Sequence, residues 1–285
     1  MATHPFRVVN VFTLGQAPFT GNPLCVFENG AGISDQHMQA LARQFNLSET
    51  TFIIPPTDPK TGANARVRIF TPSYEMPFAG HPTLGTAQVC RALKLGGDSL
   101  VLEMQAGLIP VRATASRWTL TALGATWREL DLSRDALAAA LGLRSSDIGE
   151  RPLWVKAGKE QLVVPLTSTD AVRKAVPVPS AMANIRSEDG YSMAYVFCSS
   201  GAGHTLARYF FPTGGAFIED PATGSATANF GAWCLAMKQT LPVQVQISQG
   251  EFVGRPSTLF LEVSGDGQVF VGGDVFEIGR GTVTL

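Results

Sequence analysis

Three polar residues of this chain stand where protons could be moved. Glu49 in "NLSETTFII", His81 in "HPTLGTA" and Asp220 in "DPATGSA" each fall at the edge of a predicted element rather than within an apolar run. Carboxylate and imidazole are the usual groups for general acid/base work near neutral pH. Two of the three head the same phrase, since residues 81–87 and 220–226 both close on Gly, a small hydroxyl residue and Ala. One copy begins with His and the other with Asp, and that divergence into a base and an acid points to a divided chemical task. Metal chemistry is not indicated: His4, His37, His81 and His204 are scattered, with no H-x-x-x-H or C-x-x-C. There is no G-x-S-x-G elbow, no G-x-G-x-x-G after a strand and no Walker lysine, so no cofactor is expected.

The elements that must position these residues also repeat. "RIFTP" at 68–72 and "RYFFP" at 208–212 share R-x-F-x-P; eight residues separate the first from "HPTLGTA" and seven the second from "DPATGSA". The first half reads as strands "RVVNVF" and "LCVFEN", a helix over 35–45 with Met38, Leu41, Ala42 and Phe45 at helical spacing, then strands "TTFII" and "ARVRIF". A motif helix follows, then "SLVLEM", "LIPVRA" and "WTLTA". The second half reads "PLWVKA", "QLVVPL", a short helix over 169–174, "YSMAYVF", "TLARYFF", a motif helix, "VQVQIS", "LFLEVS" and "QVFVGG". A repeat of this length is a duplicated domain rather than a solenoid unit, and 285 residues suit two domains. The join falls near residue 125, ahead of a helix with Ser133 as N-cap and Gly142 as stop.

The motif helices are predicted to begin at the phrases themselves, with Pro82 as a first helical residue, Gly96 and Gly97 as terminators, Asp220 as an N-cap and Pro221 in the first turn. Both are small or apolar on nearly every face, as befits a helix wrapped by sheet inside its domain. Their opening turns offer N–H groups and a positive dipole end to a carboxylate or phosphate.

Lys and Arg number 22 against 23 Asp and Glu, with no basic stripe, so nucleic acid is not an expected partner. No signal-peptide pattern or long apolar span is seen, and a cytoplasmic protein off the membrane is expected. Cys25, Cys90, Cys198 and Cys234 lie far apart in apolar stretches, as buried reduced thiols would.

Taken together, "GNPLCVF", "FNLSETTF", "FAGHPTLGTA", "EDPATGSA" and "QGEFVGRPS" resemble the PhzF-like family of phenazine biosynthesis proteins, in family order from Gly21 to Ser257. The resemblance implies an α+β, diaminopimelate epimerase-like fold of two similar domains, each a curled, barrel-like mixed sheet around a central apolar helix, with the active site in the cleft. The domains expected are 1–125, completed by a returning strand over 275–285, and 126–274. The epimerases of this fold use one cysteine from each domain at the helix heads; here those heads read "AGHP" and "EDPA", and Cys90 and Cys234 lie deeper. A two-thiol racemase is therefore disfavoured.

The resemblance further implies catalytic roles for Glu49, His81 and Asp220, with Glu49 as the proton carrier, its pKa raised by an apolar enclosure. Asn22, Ser48, Gly80, Thr223, Gly224 and Ser225 are implied to contact the substrate, with His81 donating to a substrate oxygen or nitrogen. The implied activity is a cofactor-independent isomerisation of a small cyclic carboxylic or amino acid resembling dihydro-hydroxyanthranilate, by a homodimer without metal. A lyase or epimerase on another small hydroxy or amino acid stays open beside it, as does a non-catalytic binding protein.

Overall fold

The computed structural model describes every residue but Leu123 and Ala202. It has two compact units, Met1–Thr121 with Gly272–Leu285, and Ala122–Val271. The first contains β1 (Thr3–Thr13), β2 (Asn22–Phe27), α1 (Asp35–Phe45), β3 (Thr50–Ile54), β4 (Ala65–Phe70), β5 (Glu75–Met76), α2 (Gly80–Ala92), β6 (Ser99–Met104), β7 (Gly107–Thr114) and β8 (Arg117–Thr121). The second contains β9 (Thr126–Glu129), α3 (Arg134–Ala140), β10 (Leu153–Lys156), β11 (Glu160–Pro165), α4 (Thr169–Lys174), α5 (Pro179–Met182), β12 (Ala194–Gly201), β13 (His204–Thr213), β14 (Ala216–Asp220), α6 (Gly224–Ala236), β15 (Val243–Gln249) and β16 (Ser257–Val263). The final strand, β17 (Val269–Thr284), begins in the second unit and ends in the first.

In the first unit the strands close on themselves. β1 pairs with β2, β2 runs parallel to β3, β4 joins β3 to β6, and β6, β7 and β8 follow antiparallel. β17 completes the ring by pairing with β8 and, from Thr3↔Thr284 to Thr13↔Asp274, with β1. α2 lies inside, against β1, β2, β3, β4, β6 and β8, which is why Leu84, Ala87, Val89 and Cys90 are all buried. Gly85 lets the helix approach the sheet, since a Cβ there would sit 2.6 Å from Leu24 Cδ2 and 2.9 Å from Val11 Cγ2. On the outside of the sheet α1 is capped by Ser34, whose hydroxyl accepts from the His37 N–H, and stopped by Asn46 in the left-handed region at φ 53°. It covers an aromatic cluster in which Phe27 stacks on Phe52 with centroids 4.8 Å apart.

The second unit repeats the plan. β11 runs parallel to β12 as β2 does to β3, β13 takes the place of β4, and β15 and β16 take those of β6 and β7. α6, with Ala226, Ala228, Phe230 and Ala232 buried on successive faces, lies against β9, β10, β11 and β16. α3 has Ser133 as its N-cap, accepting from Ala136 N–H, and Gly142 turns the chain at φ 64°. The expected strand "QVFVGG" is only the start of β17, and β5, β9, β14 and α5 are additional elements. The motif helices begin elsewhere than expected: α2 starts at Gly80, so Pro82 is its third residue, and Thr223, not Asp220, precedes α6. α2 also stops before Gly96 and Gly97, with Lys94 turning the chain at φ 61°; Lys238 does the same after α6 at φ 53°.

These boundaries give the repeat a different register from the one the shared phrase suggests. Gly80 opens α2 as Gly224 opens α6; Thr83 N–H donates to Ala79 O as Thr227 N–H does to Thr223 O. Leu95 N–H caps the Cys90 carbonyl as Gln239 N–H caps that of Cys234. The aligned stretches are "EMPFAGHPT" and "EDPATGSAT", beginning at Glu75 and Glu219. Each Glu pairs with the Arg of R-x-F-x-P: Arg68 holds Glu75 with two contacts of 2.7 Å, and Arg208 holds Glu219 at 3.0 and 2.7 Å. His81 therefore corresponds to Ser225, and Asp220 to Met76.

Candidate active site

In the first unit the residues gather at the head of α2. Glu49 leaves the turn that follows Asn46 and immediately precedes β3, so the strand sets the course of its backbone. Its Oε2 lies 3.4 Å from Nε2 of His81, the second residue of α2. His81 is 7% exposed. The ring also hydrogen-bonds to the carbonyl of Pro23 in β2, but burial dominates and brings its pKa down to about 3. The imidazole is thus neutral at ordinary pH, with one nitrogen committed to Pro23 and Nε2 turned to Glu49. Enclosure in the barrel outweighs the Pro23 hydrogen bond, which alone would favour the charged ring. Asn22, the first residue of β2, is fully buried beside Pro23, and Gly80 is partly open at the helix start. Ser48 is exposed.

In the second unit Asp220 ends β14 and its carboxylate accepts from the Thr223 hydroxyl at 2.5 Å. Gln249, at the end of β15, fixes the turn between them. It accepts from the Thr223 N–H at 3.3 Å and donates to the Asp220 carbonyl at 2.9 Å and to Thr223 Oγ1 at 3.0 Å. Asp220 therefore orders the approach to α6 through Thr223 rather than capping the helix itself. Gly250 follows at φ 79°, where a Cβ would meet the Pro221 carbonyl at 2.4 Å. Gly224 is buried, while Ser225, the second residue of α6, keeps partial access to solvent. Gln249 opens the "QGEFVGRPS" motif but carries no sign in the sequence of its contacts with Asp220 and Thr223.

The cysteines take no part at either helix head. Cys90 and Cys234 lie in the last turns of α2 and α6, and burial pushes both thiols up to about 12. Cys25 is buried in β2 and is also raised. Cys198 departs from the expectation of burial, being partly exposed in β12. Among the described residues no group of three or more His, Cys, Asp or Glu is placed to hold a metal, and no helix is long and apolar enough to cross a membrane.

Two similar units, each with a sheet curled about an apolar helix, define an α+β protein of the epimerase-like class. A hydroxyproline epimerase from Agrobacterium vitis shares this fold, with a TM-score of 0.65 at 13% identity over 99% of this chain and 93% of its own. A phenazine biosynthesis protein of the PhzF family from Bacillus anthracis superposes with a TM-score of 0.86 at 23% identity, covering all of both chains. The model of the phenazine biosynthesis-like protein family, PhzC-PhzF, matches residues 9–275, and the chain belongs to that family. Among its relatives, an uncharacterized isomerase of Pasteurella multocida is 36% identical over 99% of this chain and 94% of its own. A trans-2,3-dihydro-3-hydroxyanthranilate isomerase of Pseudomonas aeruginosa is 35% identical over 96% of this chain and 99% of its own. Kinship over nearly the full length marks the chain as an isomerase-like member of the family.

Proposed function

We propose that the protein is a cofactor-independent isomerase that moves a hydrogen between carbons of a small cyclic amino- or hydroxycarboxylic acid of the trans-2,3-dihydro-3-hydroxyanthranilate type. The observation that carries the reading is the pairing of Glu49 with a neutral, buried His81 at a helix head. In this reaction the Glu49 carboxylate takes a proton from a ring carbon, and the C–H electron pair passes into the adjoining unsaturated system. Glu49, now a carboxylic acid, returns the proton to another carbon, so substrate and product differ only in where one hydrogen sits. His81 supports the middle of the cycle, because its bare Nε2 can accept a hydrogen bond from protonated Glu49 without taking on charge.

Asp220, Thr223 and Ser225 are assigned to the same reaction, Ser225 as a hydrogen-bond donor to the substrate carboxylate with the N–H groups at the start of α6. Gly80 and Asn22 are assigned to substrate contact in the first unit. The thiols support the assignment by default: a two-thiol epimerisation needs readily ionised sulfurs, and those of Cys90 and Cys234 are buried and raised.

Incubation with trans-2,3-dihydro-3-hydroxyanthranilate in deuterated buffer, followed by mass spectrometry and NMR of the product, tests the reading. Turnover with deuterium at the accepting carbon is expected, and Glu49→Gln should lower kcat by about 10²- to 10⁴-fold, the usual contribution of a general acid/base. Loss of water would make the protein a lyase, and inversion at one carbon an epimerase. Ligand-induced thermal protection without turnover, unchanged in Glu49→Gln, would leave a binding protein.

A further inference from the structure

The buried amides behind α6 form a chain whose direction is set from the backbone. Asn229, fully buried in the second turn of α6, accepts from the Ala157 N–H at 2.7 Å through Oδ1. A backbone N–H can only donate, so the amide nitrogen of Asn229 faces the other way. There Nδ2 donates to the Lys159 carbonyl at 3.0 Å and to Gln161 Oε1 at 2.8 Å. Gln161, 1% exposed in β11, is oriented in turn: Nε2 donates to Tyr209 OH at 2.9 Å and to Ser225 Oγ at 3.1 Å. Tyr209 passes its own hydrogen to Met193 Sδ at 2.8 Å. Every donor points outward from Ala157, and Ser225 is where the chain reaches the partly open helix head.

A hydroxyl that accepts from an amide N–H cannot donate back to it. We infer that Gln161 is a positioning residue which, oriented by Asn229, fixes Ser225 as a hydrogen-bond donor toward a ligand carboxylate. The inference rests on the reading of Ser225 given above and supplies the reason a serine there favours an anion. The scaffold alone does not call for this polar pair. Since Leu162 faces Ala194 as Cys25 faces Thr50, Gln161 corresponds to Leu24; by the register of the helices Asn229 corresponds to Gly85. In the first unit those two positions pack apolarly against each other, Leu24 against Gly85. The same fold thus closes with Leu and Gly where the helix head carries His81, and with Gln and Asn where it carries Ser225.

Gln161→Glu keeps the shape but makes the group facing Ser225 an acceptor, turning the hydroxyl inward. With trans-2,3-dihydro-3-hydroxyanthranilate as substrate, KM should rise about tenfold or more, as for a lost hydrogen bond to a charged group, with kcat nearly unchanged. In a Ser225→Ala background the same substitution should add nothing, because its effect travels through the hydroxyl. An unchanged KM, or an equal penalty in both backgrounds, would overturn the inference and make Gln161 a packing residue. Neutron diffraction from deuterated crystals of the wild-type protein decides the point without turnover. Deuterons on Gln161 Nε2 directed at Ser225 Oγ are expected, and a Ser225 deuteron directed at Gln161 would refute the relay. Absence of turnover by the wild type would sink the substrate reading and leave the neutron result standing by itself.

Discussion

Acidification should expose the cost of keeping His81 neutral, and the size of that cost follows from its burial. In the unfolded chain an imidazole takes up a proton near pH 6.5, whereas in the barrel His81 does so only near pH 3. Between those values the unfolded state binds one proton more than the folded state, so stability falls as pH falls. From pH 7 to pH 5 this single group removes about 2 kcal/mol, using about 1.4 kcal/mol for each pH unit below the free value. His81→Gln, which cannot be protonated, should escape that loss. In urea unfolding at the two pH values, followed by circular dichroism, the wild type should lose about 2 kcal/mol more than the variant. NMR of the ring protons gives the direct check, since the signal missing in His81→Gln should not titrate between pH 7 and pH 4.5. Equal pH sensitivity in both proteins, or a ring that titrates near pH 6.5, would refute the reasoning.

Further outcomes follow from the geometry. Glu219→Gln removes the carboxylate partner of Arg208, leaving its bonds to the Val172, Arg173 and Ala175 carbonyls; with the side chain only 10% exposed and flanked by Phe210 and Phe252 with ring centroids at 4.7 and 4.4 Å, it should cost about 3–5 kcal/mol by urea unfolding. Glu75→Gln should cost less, because Arg68 keeps Asp35 at 2.6 Å. Gly85→Ala should destabilise by about 1–3 kcal/mol in the same measurement through overpacking against Leu24 and Val11, and lack of any loss would mean that α2 can shift in its barrel. Titration of the native protein with an aromatic disulfide should modify Cys198 first, with the other three thiols reacting only on unfolding; fast reaction of Cys90 or Cys234 would contradict their burial.

Much of the framework was legible because its signals are local. α1 spans 35–45 as its helical spacing predicts, and β3, β4 and β6 keep the bounds set by β-branched and alternating residues. The short strands β5 and β9 were not visible, since two to four residues show no periodicity and are held by Arg68 or by pairing with β10. The register of the repeat likewise depends on long-range contacts. Gly-Thr-Ala and Gly-Ser-Ala align by residue type, but the chain is anchored by Glu75 and Glu219; the Arg of each R-x-F-x-P is visible in the sequence, and its pairing with these acids is not. Of the site, the grouping of Glu49 with His81 needed the third dimension, because one residue precedes β3 and the other lies in the first turn of α2. The neutrality of His81 and the aim of the Gln161 amide depend on enclosure and on a backbone N–H, neither of which residue type discloses.

The course of β17 sets the order in which the protein can be made. β1, from Thr3 to Thr13, pairs across the ring with β17, so a strand made before the second unit waits for one made after it. The second unit, Ala122–Val271, lacks this dependence and can form before the rest of β17 is synthesised. Domains usually assemble in the order of translation; here the later unit is free to fold first, and the earlier one is sealed by the closing strand. The half-barrel around Glu49 and His81 must meanwhile persist with unpaired edges, and those nascent edges are where chaperone assistance or mispairing would act.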